Sequence, residues 1–328
     1  MTRKVSIIIP IFKVRNFIER CVCSLFEQTL KDVEYIFVDD ASPDDSIDIL
    51  KSCIERYPER KDQVVILTHE YNQGLPAARN TGLAVATGEY VFHCDSDDFV
   101  EKDMLEEMYK AAKDHDADMV YCDFYLTFAD NERYMPNAVY ESVDEYLKVG
   151  LLGGNVKFNV WNKLVRRSIY TDNEIEFPAG HAMGEDMTMI RLAACMQRVS
   201  YIPRAFYHYI KINANAYSAT MSEKHKADIR FNVDQTVDFL EKKFGNALEK
   251  EIAFFKLNTK LPFIITDDAT QYEVWKEWWP EANKYICENK QQAFRTRLVQ
   301  WFAAKGQFWA VKLYFKVVYK FVYGVIYR

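Results

Sequence analysis

The sequence predicts an α/β fold, a mostly parallel sheet flanked by helices, followed by a helical C-terminal region. Three observations carry this. Apolar, β-prone runs alternate with stretches of helical spacing from residue 5 to about residue 120, the pattern of βαβ units. Two acidic clusters, Asp39–Asp40 and Asp95–Asp98, each follow such a run directly. From roughly 220 to 290 the pattern turns helical, with Phe, Trp and Leu at helical intervals and Pro262 and Pro280 as punctuation.

Each element has its own warrant. "VSIIIP" is continuously apolar, as in a strand buried on both faces. "NFIERCVCSLFEQ" places Phe17, Cys21 and Leu25 on one helical face beside Ile18 and Val22. "VEYIFVDD" is a second strand that ends in acid. "SPDDSIDILKSCIERY" reads as a helix capped by Ser42, with Pro43 in its first turn. "QVVILTH" is a third strand and "LPAARNTGLAVAT" a helix that stops near Gly88. "EYVFHC" is a fourth strand, "KDMLEEMYKAAKDHD" a helix and "DMVYCDF" a further strand. Between 130 and 215 the pattern is mixed.

Composition narrows the functional classes. Of 328 residues, 49% are hydrophobic and 27% charged, as in an ordinary globular protein. Seven scattered cysteines without a CxxC pair read as reduced thiols in a cytosolic protein. The first apolar run is short, contains Pro10 and ends in Lys13 and Arg15, so no export is expected. No GxGxxG follows the first strand and no Gly-rich loop ends in Lys-Ser/Thr, which argues against a dehydrogenase or a P-loop hydrolase.

The acidic clusters carry the chemistry. "DSDD" places Asp95, Asp97 and Asp98 within four positions, where like charges repel unless solvent or a cation relieves them. Carboxylates suit hard cations such as Mg²⁺ or Mn²⁺, which often share them with substrate phosphates. Read alone, the cluster is equally a solvated loop capping the next helix. "VDDASPDD" alone is a turn, and "GEDM" alone is an acidic helix start favoured by the helix dipole. In an open α/β sheet, ligands sit beyond the carboxyl ends of the strands, which brings Asp39, Asp40 and the 95–98 cluster to one edge.

Taken together, "VSIIIPIFKVRNFIERCVCSLFEQT", "VEYIFVDDASPDDS", "NQGLPAARNTGLAVATGEYVFHCDSDD", "WNKLVRRSIY" and "GEDMTMIRLA" resemble the family-2 glycosyltransferases of the GT-A fold, over residues 4–210. The resemblance implies an inverting enzyme that moves a hexose or N-acetylhexosamine from a UDP-sugar to a hydroxyl of a growing glycan, a lipid-linked one included. It implies that Pro10, Phe12, Asp39, Asp40, Arg79, Asp95 and Ser96 bind the nucleotide-sugar. Asp97 and Asp95, with His208 as a further ligand, would hold Mn²⁺ or Mg²⁺, and Asp186 would be the catalytic base. Trp161 and Lys163 are secondary candidates for the acceptor side, with Trp161 equally a core residue, and His181 is one for the acceptor or the metal. Two departures stand out: Ala41 where many members have Gly, and Phe12 where Tyr is more usual. Alternatives are a transferase to polyprenyl phosphate, a sugar-nucleotide-binding protein without turnover, and a scaffold. A nucleic-acid partner is not expected.

Charge divides the chain. Glu288 is the last acidic residue and eight basic residues follow it, so the net −6 splits into −14 over residues 1–288 and +8 beyond. In the closing stretch Lys312, Lys316 and Lys320 recur at helical spacing among aromatic and branched residues. Its ten most apolar residues favour insertion by about −3 to −6 kcal/mol, while three central lysines cost about +7 to +10 kcal/mol, so spanning a bilayer loses. The expectation is a catalytic region at 1–217, a helical extension at 218–290, and a basic aromatic tail at 291–328. That tail would lie on an anionic membrane surface, with the protein peripheral on the cytoplasmic face.

Overall fold

The computed structural model describes residues 3–211, 222–266 and 268–318. The chain divides into two compact units, Met1–Val143 with Phe158–Thr236, and Asp144–Lys157 with Val237–Arg328.

The first unit is built on a mixed sheet. Its strands are β1 (Val5–Ile11), β2 (Val33–Asp39), β3 (Val64–Thr68), β4 (Tyr90–His93), β5 (Phe99–Val100), β6 (Met119–Thr127), β7 (Glu132–Met135), β8 (Lys163–Arg166) and β9 (Val199–Ile210). They run in the order β3-β2-β1-β4-β8-β6-β9-β5, with β7 on β6. The first four strands pair in parallel, as the strand–helix alternation requires. All seven residues of β1 and of β2 are buried, which explains their largely apolar runs, and the polar Ser6 and Glu34 within them hydrogen-bond each other. Antiparallel β8 joins β4 to β6.

Helices α1 (Ile18–Phe26), α2 (Ser46–Arg56), α3 (Leu75–Val85) and α4 (Met104–Asp114) connect these strands. In α1 the buried set Ile18, Cys21, Val22, Leu25 and Phe26 follows the expected face. Helix α2 corrects an expectation, because it starts at Ser46 rather than at Pro43. Asp45, not Ser42, stands at the N-cap, and Asp44 before it accepts through Oδ1 from Ser46 N–H at 3.2 Å and from the Ser42 hydroxyl at 2.8 Å. Past α3, Gly88 lies so close to β1 that a Cβ there would stand 2.5 Å from the Ser6 nitrogen. Short α6 (Arg167–Thr171) and α7 (Thr188–Ala193) follow α5 (Val143–Glu145), and long α8 (Glu223–Phe244) leaves the unit.

The second unit is helical: a π-helical turn at Tyr146–Leu152, α9 (Glu249–Lys260), α10 (Thr270–Glu277), α11 (Phe294–Ala304) and α12 (Phe308–Tyr314). It buries Phe255, Leu257, Trp275, Ile286, Val299 and Val311. The closing segment, expected as a single basic face, begins at Gly306, whose φ is +70°, and Lys312 and Lys316 are exposed beyond it. Lys320, Arg328 and the other residues of 319–328 lie outside the described residues. Among the described residues no helix is long and apolar enough to cross a membrane.

Candidate active site

The parallel strands deliver their acids to one edge. Ile11 at the end of β1 pairs with Asp39 at the end of β2, and Ile8 pairs with His93 at the end of β4. Phe12 is exposed just beyond β1, and Pro10 is buried within it. Asp39 accepts from Ser42 N–H at 2.8 Å through Oδ1.

Two residues expected at the nucleotide are instead committed internally. Asp40 is buried; its Oδ1 meets His69 Nδ1 and Gln73 N–H at 2.7 and 2.8 Å, and its Oδ2 accepts from Gly74 N–H at 2.8 Å. It thus fixes the loop that enters α3, and its oxygens point to protein donors. Ser96 is buried too and donates its hydroxyl to the Pro10 carbonyl at 2.6 Å, tying the acidic turn to β1. His69 was not singled out from sequence, because its partner lies 29 positions away.

Within the turn the three carboxylates separate by environment. Asp98 is buried, accepting from the Tyr207 hydroxyl at 2.8 Å and from Ile210 N–H at 2.7 Å. Burial, with Asp97 and Asp95 beside it, pushes its pKa well above the usual carboxylate range. Asp95 and Asp97 are half-buried.

Arg79 on α3 joins the two acidic clusters. Its guanidinium is buried; Nη2 donates to Asp95 at 3.1 Å, and Nη1 donates to Asp186 at 3.0 Å and to Glu185 at 3.3 Å. The ring of Phe177 lies 5.3 Å beneath it. Arg79, expected to bind the nucleotide-sugar, pairs here with three carboxylates. Glu185, read from sequence as a helix-dipole residue, belongs to the same cluster. Burial raises the pKa of Asp186, and the Arg79 charge opposes that rise without cancelling it. Glu185 is raised in the same way, with the Asp186 charge adding to burial.

Helix α8 holds the loop that carries Glu185 and Asp186. Asn232 donates from Nδ2 to the carbonyls of His181 and Met183 at 3.1 and 2.9 Å. Gly184 sits at φ +87°, a conformation that favours glycine. His181 stacks on Phe231 and pairs with Asp228 at 3.2 Å.

Lys163 is buried, donating to the Asn159 carbonyl at 2.5 Å and to Asn162 Oδ1 at 2.9 Å. Burial lowers its pKa to about 7, and its charge acts on Asp186. Trp161 is core, stacked on Tyr207 and Tyr209. His208, expected as a further metal ligand, lies between the rings of Phe99 and Tyr125 with Glu132 on Nδ1 at 2.7 Å and Glu101 on Nε2 at 3.0 Å. Both of its nitrogens already hold carboxylates. Among the described residues no group of three or more His, Cys, Asp or Glu side chains is placed to hold a metal ion. Asp95 and Asp97 carry carboxylates, the class of hard oxygen donor that Mg²⁺ and Mn²⁺ take.

The model of the family described as Glycosyl transferase family 2 matches residues 6–179, more than half of the chain. The chain belongs to this family. As a family-2 glycosyltransferase it has curated relatives that match more than half of its length. It is 27% identical over 266 residues to glycosyltransferase GlyA of Streptococcus pneumoniae, covering 77% of this chain and 37% of GlyA. It is 31% identical over 248 residues to the cholesterol galactosyltransferase of Borreliella burgdorferi, covering 71% of this chain and 67% of that one. The chain also spans only 60% of the length of the Bacillus subtilis glycosyltransferase EpsJ. Among solved structures, S. aureus TarS 1–349 in complex with UDP-GlcNAc superposes with a TM-score of 0.73 at 18% identity, covering 95% of this chain and 91% of that one. The fold is therefore GT-A with a helical C-terminal region, as the sequence resemblance implied.

Proposed function

We propose that the chain is an inverting transferase that moves a hexose or N-acetylhexosamine from a UDP-sugar to a hydroxyl of a growing glycan. The observation that carries this reading is the Arg79 clamp, which holds the first Asp of the DSDD turn and the acids of the GED loop on one guanidinium. Donor-side and acceptor-side acids, 91 positions apart for Asp95 and Asp186, thereby face one site. The UDP-GlcNAc in the TarS complex supports a UDP-sugar as donor.

In this reading Asp39 and Phe12 take the uracil end of the donor. Asp97, with Asp95, would hold a divalent cation shared with the diphosphate, as the Mn²⁺ in the PcManGT complex with GDP-Man suggests. Bound there, such a cation neutralises charge on the leaving diphosphate. Asp186 accepts the proton of the acceptor hydroxyl as its oxygen bonds to the anomeric carbon from the face opposite the diphosphate. The bond to the diphosphate oxygen breaks with its electron pair, releasing UDP and inverting the anomeric centre. A raised pKa suits a base that works near neutral pH, and one such base contributes about 10²–10⁴-fold. The acceptor we favour is lipid-linked, with the enzyme held peripherally on the cytoplasmic face of a membrane.

A panel of UDP-sugars with Mn²⁺, read by UDP release from slow donor hydrolysis, tests the reading. Release from one sugar above the enzyme-free rate is expected. UDP binding without release from any sugar would leave a binding protein, and absence of UDP binding would leave a scaffold.

A further inference from the structure

Helices α11 and α12 carry more apolar surface than their packing uses. Helix α11 docks through Val299 and Ala303, which are buried, yet it exposes Phe294, Leu298 and Trp301 on its opposite side. Those three recur at i, i+4 and i+7, so they form one stripe. Helix α12 docks through buried Val311 and through Phe308, which stacks on Tyr272 of α10 at 5.2 Å. It exposes Trp309 and Leu313, again four residues apart. Phe294 is 70% and Trp309 68% exposed, so most of each ring's apolar surface is left in water. Lys305, Lys312 and Lys316 are exposed among these rings, and no acidic residue follows Glu288.

We propose that α11 and α12 dock on an anionic lipid bilayer. The exposed rings and leucines would enter the acyl boundary, and the three lysines would meet lipid phosphates. A second copy of the chain is the rival occupant, because residues 1–288 are acidic. Protein interfaces, however, are depleted of lysine and concentrate their apolar residues in a continuous centre. Here lysines alternate with single protruding rings, the composition of an interfacial membrane helix. The surface supplies an anchor for the membrane-held reading of the acceptor, but its test needs no turnover.

The test is co-sedimentation of the full chain with vesicles of phosphatidylcholine alone or mixed with phosphatidylserine. Binding is expected only to the mixed vesicles. Lys305→Ser/Lys312→Ser/Lys316→Ser should weaken it on the order of 10²–10³-fold. Phe294→Ser/Trp301→Ser/Trp309→Ser should abolish it, while both variants keep a cooperative melt and the UDP affinity of the parent. No binding to mixed vesicles by the parent, or unchanged binding by both variants, overturns the proposal. So does a parent that forms dimers which the ring variant disrupts. UDP-sugar turnover, measured separately, reports on the transferase reading and is independent of these outcomes.

Discussion

Arg79 governs the charge balance of the acids at Asp95, Glu185 and Asp186. One buried cation faces three carboxylates, so its removal leaves like charges together with only the more distant Lys163 acting on Asp186. Breaking such a buried network costs about 3–5 kcal/mol, so Arg79→Met should lose that much stability in urea. A loss below about 1 kcal/mol would show that the pairs do not hold the fold. The same substitution should move catalysis along the pH axis. Arg79 favours the ionised form of Asp186, and the base must be ionised to work. Without Arg79 the pKa rises further, so the acidic limb of the kcat/KM profile shifts to higher pH. A limb that stays in place would separate Asp186 from the clamp. On the donor side, Asp97→Ala should abolish metal-dependent UDP binding, and unchanged calorimetry in Mn²⁺ would contradict the ligand role. The sequence motifs mark Asp39, Asp97 and Asp186 as candidates without reference to any distant partner. A role that depends on a distant partner was not legible. Arg79 meets Asp186 across 107 positions, and Asp40 turns to His69 across 29. Nothing local marks either contact.

Elements set those residues in place. Asn232 of α8 supplies two hydrogen bonds to the loop that carries Asp186, both from one amide. Asn232→Ala leaves two carbonyls without it, so transfer should slow while UDP affinity stays near the parent value. Equal losses in both would mean that α8 supports the whole unit rather than the loop. In the helical unit, Lys260 at the end of α9 donates to the carbonyls of Trp278 and Trp279 and to Asn283 Oδ1. Burial lowers its pKa to about 7, against about 10.4 in an unfolded chain. Between those values the unfolded chain binds more protons, so this group adds stability as pH rises from 7 towards 10. The melting temperature of the parent minus that of Lys260→Met should therefore increase over that range, and a flat difference would show that the lysine does not titrate there. The early strands and helices were legible because a parallel sheet writes itself as largely apolar runs. Strand β8 was not, because its four residues include Lys163 and Arg166, and its place between β4 and β6 is a long-range pairing.

For the molecule as a whole, the charge division bears directly on where it works. The +8 of residues 289–328 is opposed by no acid in that stretch, so any attraction to anionic lipid should weaken as salt shortens the Debye length from about 10 Å at 0.1 M to about 3 Å at 1 M. Vesicle binding that is insensitive to salt would point to burial of the rings alone. The transferase reading itself rests on Asp186 and is tested most directly at that residue. The measurement is UDP release from the donor sugar by Asp186→Asn, with UDP affinity determined by calorimetry on the same protein. The account predicts a rate lower by about 10²–10⁴-fold with UDP affinity near that of the parent. Near-parental turnover would contradict it and move the base to another residue.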